Sequence, residues 1–470
     1  FKNKPFFNLK DLMKFYNKNK NLFLINKGIE RNEGSVLNTG QKFWKRAQTV
    51  IPGGTMLFSK NPDLFLPGKW PAYFSKSKGC KLWDLDNNKY DDIAYMGNGT
   101  NVLGYCHPEI EKKVSKVIKN GTISTLNSIE EILLAEKLVS LHPWSEMVRF
   151  TRSGGEANAV AIRIARAASG RDKVAVCGYH GWHDWYMSTN IDNKNNLNTH
   201  LMNNLPINGV PKNLKNTVFP FEYNNFEQLS KIVKMQKIGV IKMEVKRISE
   251  PQNNFLQKIR KLATENNIVL IFDECTSGFR QTFGGLHKFY NVEPDLAIFG
   301  KALGNGYAIN AVIGRRAVME HANHSFISST FWTERVGPSA ALETLKIMEK
   351  NKSWNEITMI GKNIKKQIRY IASLHKLDLQ IEGIDAIPNF YFNSNNNMKY
   401  KTLITQEMLK KKILASNLIF CSISHKDKVL KKYFNTLEGI FSKISKVEKG
   451  QKDITDYLKS PIAMSGMRNK

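Results

Sequence analysis

One lysine, Lys301, stands between two apolar runs, DLAIFG before it and AINAVIG after it. Most lysines of a folded protein lie on its surface, so the residue type alone assigns no role. A P-loop is excluded because Ala302 follows where serine or threonine is needed, and Gly304 and Gly306 do not extend to a dinucleotide fingerprint. Lys301 therefore needs partners elsewhere in the sequence before any chemistry can be assigned to it.

A carboxylate, Asp273, ends the apolar run IVLIFD, which predicts a strand buried on both faces. A carboxylate at such a position is costly unless it meets a cation or a hydrogen-bond donor. A helix N-cap or a salt bridge with Arg280 is the commoner outcome for such a residue. The residue therefore needs a positive partner.

The segment RSGGEANAVAIRIARAAS follows the run MVRFT. Ser153 and Glu156 have the spacing of a capping box, and the apolar residues that follow keep helical spacing. A capped core helix accounts for this pattern. Gly154 and Gly155 equally predict a phosphate site, because they expose backbone N–H groups at a helix N-terminus.

Five ring-bearing residues lie within seven positions after the run KVAVCG: Tyr179, His180, Trp182, His183 and Trp185. An aromatic cluster at a domain interface is one interpretation, and a ring that stacks on a planar cofactor is the other. The two histidines lack an H-E-x-x-H pattern, so no metal is expected.

These residues all follow short apolar runs between residues 147 and 314, namely MVRFT, KVAVCG, IGVIKME, IVLIFD, DLAIFG and NAVIG. Runs of this kind separated by helical segments are typical of an α/β fold with a mainly parallel sheet covered on both faces. Ligands of such sheets bind beyond the carboxyl ends of the strands. We therefore expect the residues named above to meet at one edge of the sheet.

Further elements are expected on either side of this sheet. WDLDNNKYDD predicts a hairpin around its Asp-Asn-Asn turn, and SAALETLKIMEK, EMLKKKILASN and KKYFNTLEGIFSKI predict helices. We expect residues 1–90 to be the N-terminal segment of a small α+β domain, residues 91–337 a large domain, and residues 338–470 the C-terminal part of the small domain.

Composition excludes several classes of function. The formal charge is +29, but lysines are mixed with asparagines along the whole chain, which indicates a solvated surface and no specific nucleic acid or membrane partner. Five scattered cysteines predict neither a disulfide framework nor a zinc site, and no bilayer-spanning run or signal peptide is evident. We expect a cytoplasmic protein; the chain begins with Phe1, which leaves its natural start open.

The separate signals agree if the ligand is pyridoxal 5′-phosphate. That cofactor needs a lysine for a Schiff base, an acid at its pyridine nitrogen, a phosphate cradle and an aromatic face. The lysine must lose its proton to attack a carbonyl, so its pKa has to fall from roughly 10.4. Once the substrate amine has displaced it, the same amine can move a proton between substrate and cofactor carbons.

The motifs SGGEANAVAIRIAR, GYHGWHD, FDECTSGFR and FGKALGNGYAINAVIG resemble those of the class III aminotransferases, which are fold-type I pyridoxal-phosphate enzymes. The likeness is greatest to glutamate-1-semialdehyde 2,1-aminomutase and its relatives, and it covers about residues 40 to 345. The resemblance implies an aminotransferase that acts on an amino acid donor and a small carbonyl acceptor, with an intramolecular aminomutase as the alternative. An inactive homologue that binds anionic polymers is disfavoured because Lys301 and Asp273 are both present.

The resemblance also assigns roles to residues. It implies Lys301 as the Schiff-base lysine, Asp273 as the partner of the pyridine nitrogen, and a homodimer in which one residue reaches the other subunit's cofactor. The implied cofactor contacts are Ser153, Gly154, Gly155, Tyr179 and, from the other subunit, Thr330.

Departures from the family pattern lie near the substrate. Gly155 stands where the family usually has threonine, and Lys60 stands where the aminomutase has a carboxylate-binding arginine. Phe331 and Trp332 replace a small, glycine-containing run. Lys60 and Trp182 are the expected substrate contacts.

Overall fold

The structure is a computed structural model and describes residues 38–198, 200 and 205–465. Helices α1 to α13 are Thr39–Val50, Met96–Gly99, Pro108–Lys119, Ile129–Leu141, Gly154–Ser169, Asp184–Met187, Phe226–Met235, Phe255–Glu265, Arg316–Met319, Val336–Asn351, Ser353–Leu374, Asn397–Lys410 and Asp427–Glu448. Strands β1 to β13 are Phe74–Lys78, Lys81–Asp84, Lys89–Asp92, Met147–Thr151, Lys173–Cys177, Val218–Pro220, Ile238–Glu244, Val269–Asp273, Leu296–Phe299, Asn310–Gly314, Leu379–Glu382, Asn389–Phe392 and Ile413–Leu414. Among the described helices, none combines the length and apolarity that a bilayer crossing requires.

Seven strands form the central sheet in the order β4-β10-β9-β8-β7-β5-β6. The neighbours from β9 through β6 are parallel, whereas β10 is antiparallel to both β9 and β4. The predicted mainly parallel sheet is confirmed, and all six predicted runs are strands of it. Strand β6 was not predicted, because only three residues of it pair.

Both faces of this sheet are buried, as the near-continuous apolar runs predict. Helix α5 packs on one face, where Ala157 and Ala161 share a core cluster with Val240 and Ile271. Phe255 and other residues of α8 belong to the core cluster on the opposite face. The sheet is thereby a rigid platform whose strand ends hold the polar side chains.

The predicted hairpin is confirmed, because β2 and β3 pair antiparallel and Asn87 takes the left-handed conformation in the turn between them. These strands belong to a second sheet of order β1-β2-β3-β13. Strand β13 comes from the C-terminal part of the chain and pairs in parallel with β3. The division of the chain into domains at residues 90 and 338 stays a prediction, and residues 1–37 of its first segment lie outside the described residues.

One predicted helix is wrong in its second half. EMLKKKILASN was expected to be helical throughout, but α12 ends at Lys410 and Lys412 adopts a left-handed backbone. Ile413 and Leu414 then pair with Asp91 and Asp92 as β13 and are buried there. Burial of two apolar side chains against a distant strand outweighs the local preference for helix.

Candidate active site

Lys301 lies two residues beyond the carboxyl end of β9 and opens a short 3-10 helix, Lys301–Gly304. Its φ of +44° is in the left-handed region, which residues other than glycine rarely adopt. The preceding residue must be glycine, because a Cβ at Gly300 would lie 2.0 Å from Asn310 Nδ2. Strained backbone conformations such as that of Lys301 occur frequently at functional residues.

The amine of Lys301 is half-buried, and its Nζ donates a hydrogen bond to Thr276 Oγ1 at 2.7 Å. Burial and, after it, the positive charge of Arg247 lower the pKa of Lys301 to about 8. Both causes disfavour the ammonium form. The neutral amine, which is the nucleophilic form, is therefore accessible near neutral pH.

Asp273 is the last residue of β8 and is buried. Its Oδ2 accepts a hydrogen bond from His180 Nδ1 at 2.9 Å, and its Oδ1 accepts one from the Cys275 N–H at 3.1 Å. Burial opposes ionisation, but Lys242 and His180 outweigh it and hold the pKa of Asp273 well below its usual range. The carboxylate is therefore charged in the absence of any ligand.

Arg280 does not pair with Asp273, although the sequence left that salt bridge open. Its guanidinium instead donates to the backbone carbonyls of Thr276 and Gly99. The charged or titratable partners of Asp273 are instead His180 Nδ1 at 2.9 Å and Lys242 Nζ at 3.8 Å.

The N-terminus of helix α5 lies at the same edge. The predicted capping box is confirmed: Ser153 Oγ accepts from the Glu156 N–H at 3.4 Å, and the Ser153 N–H donates to Glu156 Oε2 at 2.8 Å. A Cβ added at Gly154 would lie 3.6 Å from Cys275 Sγ, so the helix begins against the loop that follows Asp273. The backbone N–H groups of the first turn form a cradle suited to phosphate.

Two rings lie over this cradle at Gly155. A Cβ there would lie 2.8 Å from His183 Cε1 and 3.4 Å from Trp182 Nε1. The two rings stack with centroids 4.5 Å apart. His183 Nδ1 is buried and has no hydrogen-bond partner among the described residues, whereas Trp182 is 71% exposed. The glycine thus makes room for His183 where a larger residue would not.

Tyr179 lies between these groups and the end of β7. Its N–H donates to Glu244 Oε2 at 3.2 Å, and Glu244 forms an ion pair with Arg247 at 3.1 Å. Its ring is half-buried and packs edge to face against Tyr186. The backbone contact with Glu244 sets the position of Tyr179 at the sheet edge.

Sequence reasoning assigned no site role to five residues that the structure brings here: His180, Lys242, Glu244, Arg247 and Thr276. Glu244 ends β7, so the rule of strand ends could have identified it. His180 was noted only as part of an aromatic cluster. No local pattern signals that Arg247 lowers the pKa of Lys301, because the two residues are far apart in the chain.

The predicted substrate residue Lys60 and the predicted partner-subunit residue Thr330 are both exposed. Lys60 is exposed and lines a cavity of about 880 Å³ whose wall also includes residues 305–307, the loop that follows Lys301. Thr330 is exposed at the start of the 3-10 helix Thr330–Thr333 and makes no hydrogen bond to Lys301 or Asp273 within the described chain. Phe331 is also exposed, and Trp332 is half-buried.

These groups fit pyridoxal 5′-phosphate. A lysine with a lowered pKa, a buried ionised carboxylate, an open helix N-terminus and a tyrosine converge at one sheet edge, each from a different strand end. A second buried lysine near Asp273, Lys242, is an unexpected member of the site.

The sequence profile described as aminotransferase class-III matches residues 67–418. The 3-aminobutyryl-CoA aminotransferase of Cloacimonas acidaminovorans is 31% identical over 79% of this chain and 87% of its own length. The glutamate-1-semialdehyde 2,1-aminomutase of Methanothermobacter thermautotrophicus is 30% identical over 77% of this chain and 85% of its own.

Solved structures agree with this match. The PLP internal aldimine form of the FumI protein from a Sphingopyxis species superposes with a TM-score of 0.80 at 25% identity, covering 91% of this chain and all of that one. A β-phenylalanine aminotransferase from Variovorax paradoxus shares the fold with a TM-score of 0.72 at 22% identity, covering 90% and 96% of the two chains.

Proposed function

The chain belongs to the class-III aminotransferases, and we propose that it moves an amino group from an amino acid to an aldehyde or keto acceptor with Lys301 as its catalytic amine. Transamination with pyridoxal 5′-phosphate is the activity of this family, and the fold is that of its fold-type I members. The observation that carries the assignment is the position of Lys301, half-buried just beyond the end of β9, at the sheet edge that also holds the buried Asp273 at the end of β8.

Each residue has a defined task. When bound, pyridoxal phosphate supplies an electron sink for the bond broken at the substrate carbon. Asp273 holds a proton on the ring nitrogen, and His180 holds the Asp273 carboxylate in position through its Nδ1. Lys301 accepts and returns protons at its Nζ, and Thr276 orients that amine.

The start of helix α5 binds the phosphate in this proposal. The backbone N–H groups of Gly154 and Gly155 face the sheet edge, and Ser153 holds that first turn in place through the capping box. Tyr179 covers the cofactor ring. His183 fills the space beside Gly155 that a side chain there would occupy.

Oxo-acid release tests the proposal and separates it from an aminomutase, the activity named for the Methanothermobacter relative. The loaded protein is incubated with single 2-amino acids and with 3-aminobutyrate, since a relative is named for a 3-aminobutyryl thioester. An aminotransferase converts the cofactor to pyridoxamine phosphate and releases an oxo acid. In a parallel incubation with glutamate-1-semialdehyde, which carries an amino group and an aldehyde in one molecule, an isomerised product without a released carbonyl compound would establish the aminomutase instead. Lys301→Ala is the inactive control.

A homodimer is supported by exposed apolar side chains beside the segment that carries Thr330. Leu126, Ile129 and Ile132 are exposed by 81%, 63% and 59%, and Ile132 shares a surface groove with Ser329 and Trp332. Apolar patches of this kind mark interfaces. In the proposed dimer, Thr330 reaches the phosphate bound by the partner subunit. The predicted cytoplasmic location remains a prediction from the sequence.

Subunit mixing tests this arrangement. Lys301→Ala and Thr330→Ala each remove one part of a shared site. Hybrid dimers of the two variants contain one complete site, so mixing should restore about a quarter of the wild-type activity if the subunits exchange randomly. No recovery from exchanged subunits would contradict the shared site.

A further inference from the structure

A single lysine, Lys242, interrupts the apolar run IGVIKMEV of strand β7. It pairs in register with Val176 on β5 and Ile271 on β8, so neighbouring strands flank it on both sides. Those two neighbours belong to the core cluster that lies beneath helix α5. The side chain of Lys242 has 0% exposure. Apolar packing accounts for Val176 and Ile271 at these positions, but it gives no reason for an amine between them.

The amine of Lys242 has no hydrogen-bond partner among the described residues. Its Nζ lies 3.8 Å from Asp273 Oδ2, an oxygen that already accepts a hydrogen bond from His180. Burial disfavours the ammonium and lowers the pKa of Lys242, and the nearby charge of Asp273 is the main cause that opposes this shift and stabilises the charged form. Lys242 and Asp273 therefore form an ion pair across adjacent strands, without direct hydrogen bonding.

The pair lies where the proposed function needs the charge of Asp273. Two cations would interact with the single Asp273 carboxylate: the ammonium of Lys242 and the protonated ring nitrogen of the cofactor. Of the other titratable groups around Lys242, His180 bonds the same carboxylate oxygen, Glu244 ends the same strand and Cys275 follows β8. The two cations that compete for the Asp273 carboxylate are therefore the Lys242 ammonium and the protonated ring nitrogen.

We propose that Lys242 is a positioning residue that acts through Asp273. Without the cofactor, Lys242 keeps the Asp273 carboxylate ionised. With the cofactor bound, Lys242 weakens the interaction between that carboxylate and the proton on the ring nitrogen. This inference rests on the proposed function, which assigns Asp273 to the ring nitrogen. It makes the cofactor a weaker electron sink than one held by Asp273 without a competing cation.

Removal of the charge tests the inference. Lys242→Met and Lys242→Gln both delete the ammonium, one with an apolar and one with a polar side chain. Each should bind pyridoxal phosphate about tenfold more tightly than wild type, a change that corresponds to about one pKa unit at the ring nitrogen. The nitrogen-15 shift of ring-labelled cofactor should move toward its protonated value in both variants.

Two controls isolate the effect. Lys365→Met removes a lysine that pairs with Asp385 at 3.0 Å and is 12% exposed, but it lies on α11 and outside the site. It should leave both readouts unchanged. In an Asp273→Asn background, Lys242→Met should give no tightening, because the shared carboxylate is gone.

The outcomes are distinguishable. Folded Lys242 variants with unchanged or weaker cofactor affinity and an unchanged nitrogen-15 shift would overturn the inference alone. A tightening that persists in the Asp273→Asn background would also overturn it. A wild-type protein that binds no pyridoxal phosphate would overturn the proposed function itself, and the inference with it.

Discussion

Lys301 should attach pyridoxal phosphate at a rate that rises with pH around pH 8. The attacking species is the neutral amine, whose fraction depends on the pKa of Lys301. With a pKa of about 8, about 10% of the side chains are neutral at pH 7, against about 0.03% for a lysine of ordinary pKa. The site thereby gains about 300-fold in reactive amine at that pH.

Arg247→Gln tests the second cause of the lowered pKa of Lys301, the positive charge of Arg247. Arg247 lowers the pKa of Lys301 by its positive charge, and its removal also leaves Glu244 without its ion pair. Both changes favour the ammonium form of Lys301, so its pKa should rise by about one unit. The attachment rate at pH 7 should then fall about tenfold. Arg247→Lys keeps the charge and is the matched control.

Stopped-flow absorbance measures this rate after the cofactor-free protein is mixed with pyridoxal phosphate between about pH 6 and pH 10, a range that brackets the lowered pKa. The wild-type rate should reach half its maximum near pH 8, and the Arg247→Gln rate at a higher pH. A wild-type rate that still rises without a plateau up to about pH 10 would refute the lowered pKa, because a lysine of ordinary pKa is mostly charged there. An identical midpoint in Arg247→Gln would refute the contribution of Arg247 and leave burial as the cause.

Two further substitutions have expected outcomes. Gly155→Ala should weaken cofactor binding, because the added Cβ would lie 2.8 Å from His183 Cε1. The double variant that also carries His183→Ala should regain the wild-type affinity, and titration with the cofactor measures both. Glu274→Gln should lower the free energy of unfolding at neutral pH by about 1–3 kcal/mol, because the buried carboxylate accepts from His287 at 2.6 Å. The pKa of Glu274 is lowered in the folded state, so this contribution is lost as the pH falls below its ordinary range, and urea unfolding should show the difference shrinking in acid.

The sheet and its strand ends were predictable because each strand is a short apolar run with a polar residue after it. That pattern located Asp273 and Lys301, and the capping-box spacing located the start of helix α5. Antiparallel pairing of β10 was not predicted, since local sequence does not encode strand direction. The helix expected over EMLKKKILASN failed after Lys410 because the pairing of β13 depends on strand β3, far away in sequence.

The contacts between the site residues could be predicted less well from the sequence. His180 and Asp273 meet across 93 positions, and nothing in either local segment specifies that contact. Lys242, which is fully buried beside Asp273, was not singled out from the sequence. The assignments of Lys60, Trp182 and Thr330 to substrate and partner subunit stay predictions, because they depend on ligands and on a second chain.

Covalent trapping tests the central claim most directly. The loaded protein is reduced with borohydride, which fixes the cofactor to the lysine that holds it, and digested peptides are weighed by mass spectrometry. Lys301 should carry the added pyridoxyl phosphate group, and Lys301→Ala should carry none. A label on Lys242 or another lysine of the wild type, or a label that survives in Lys301→Ala, would contradict the assignment of Lys301 as the catalytic amine.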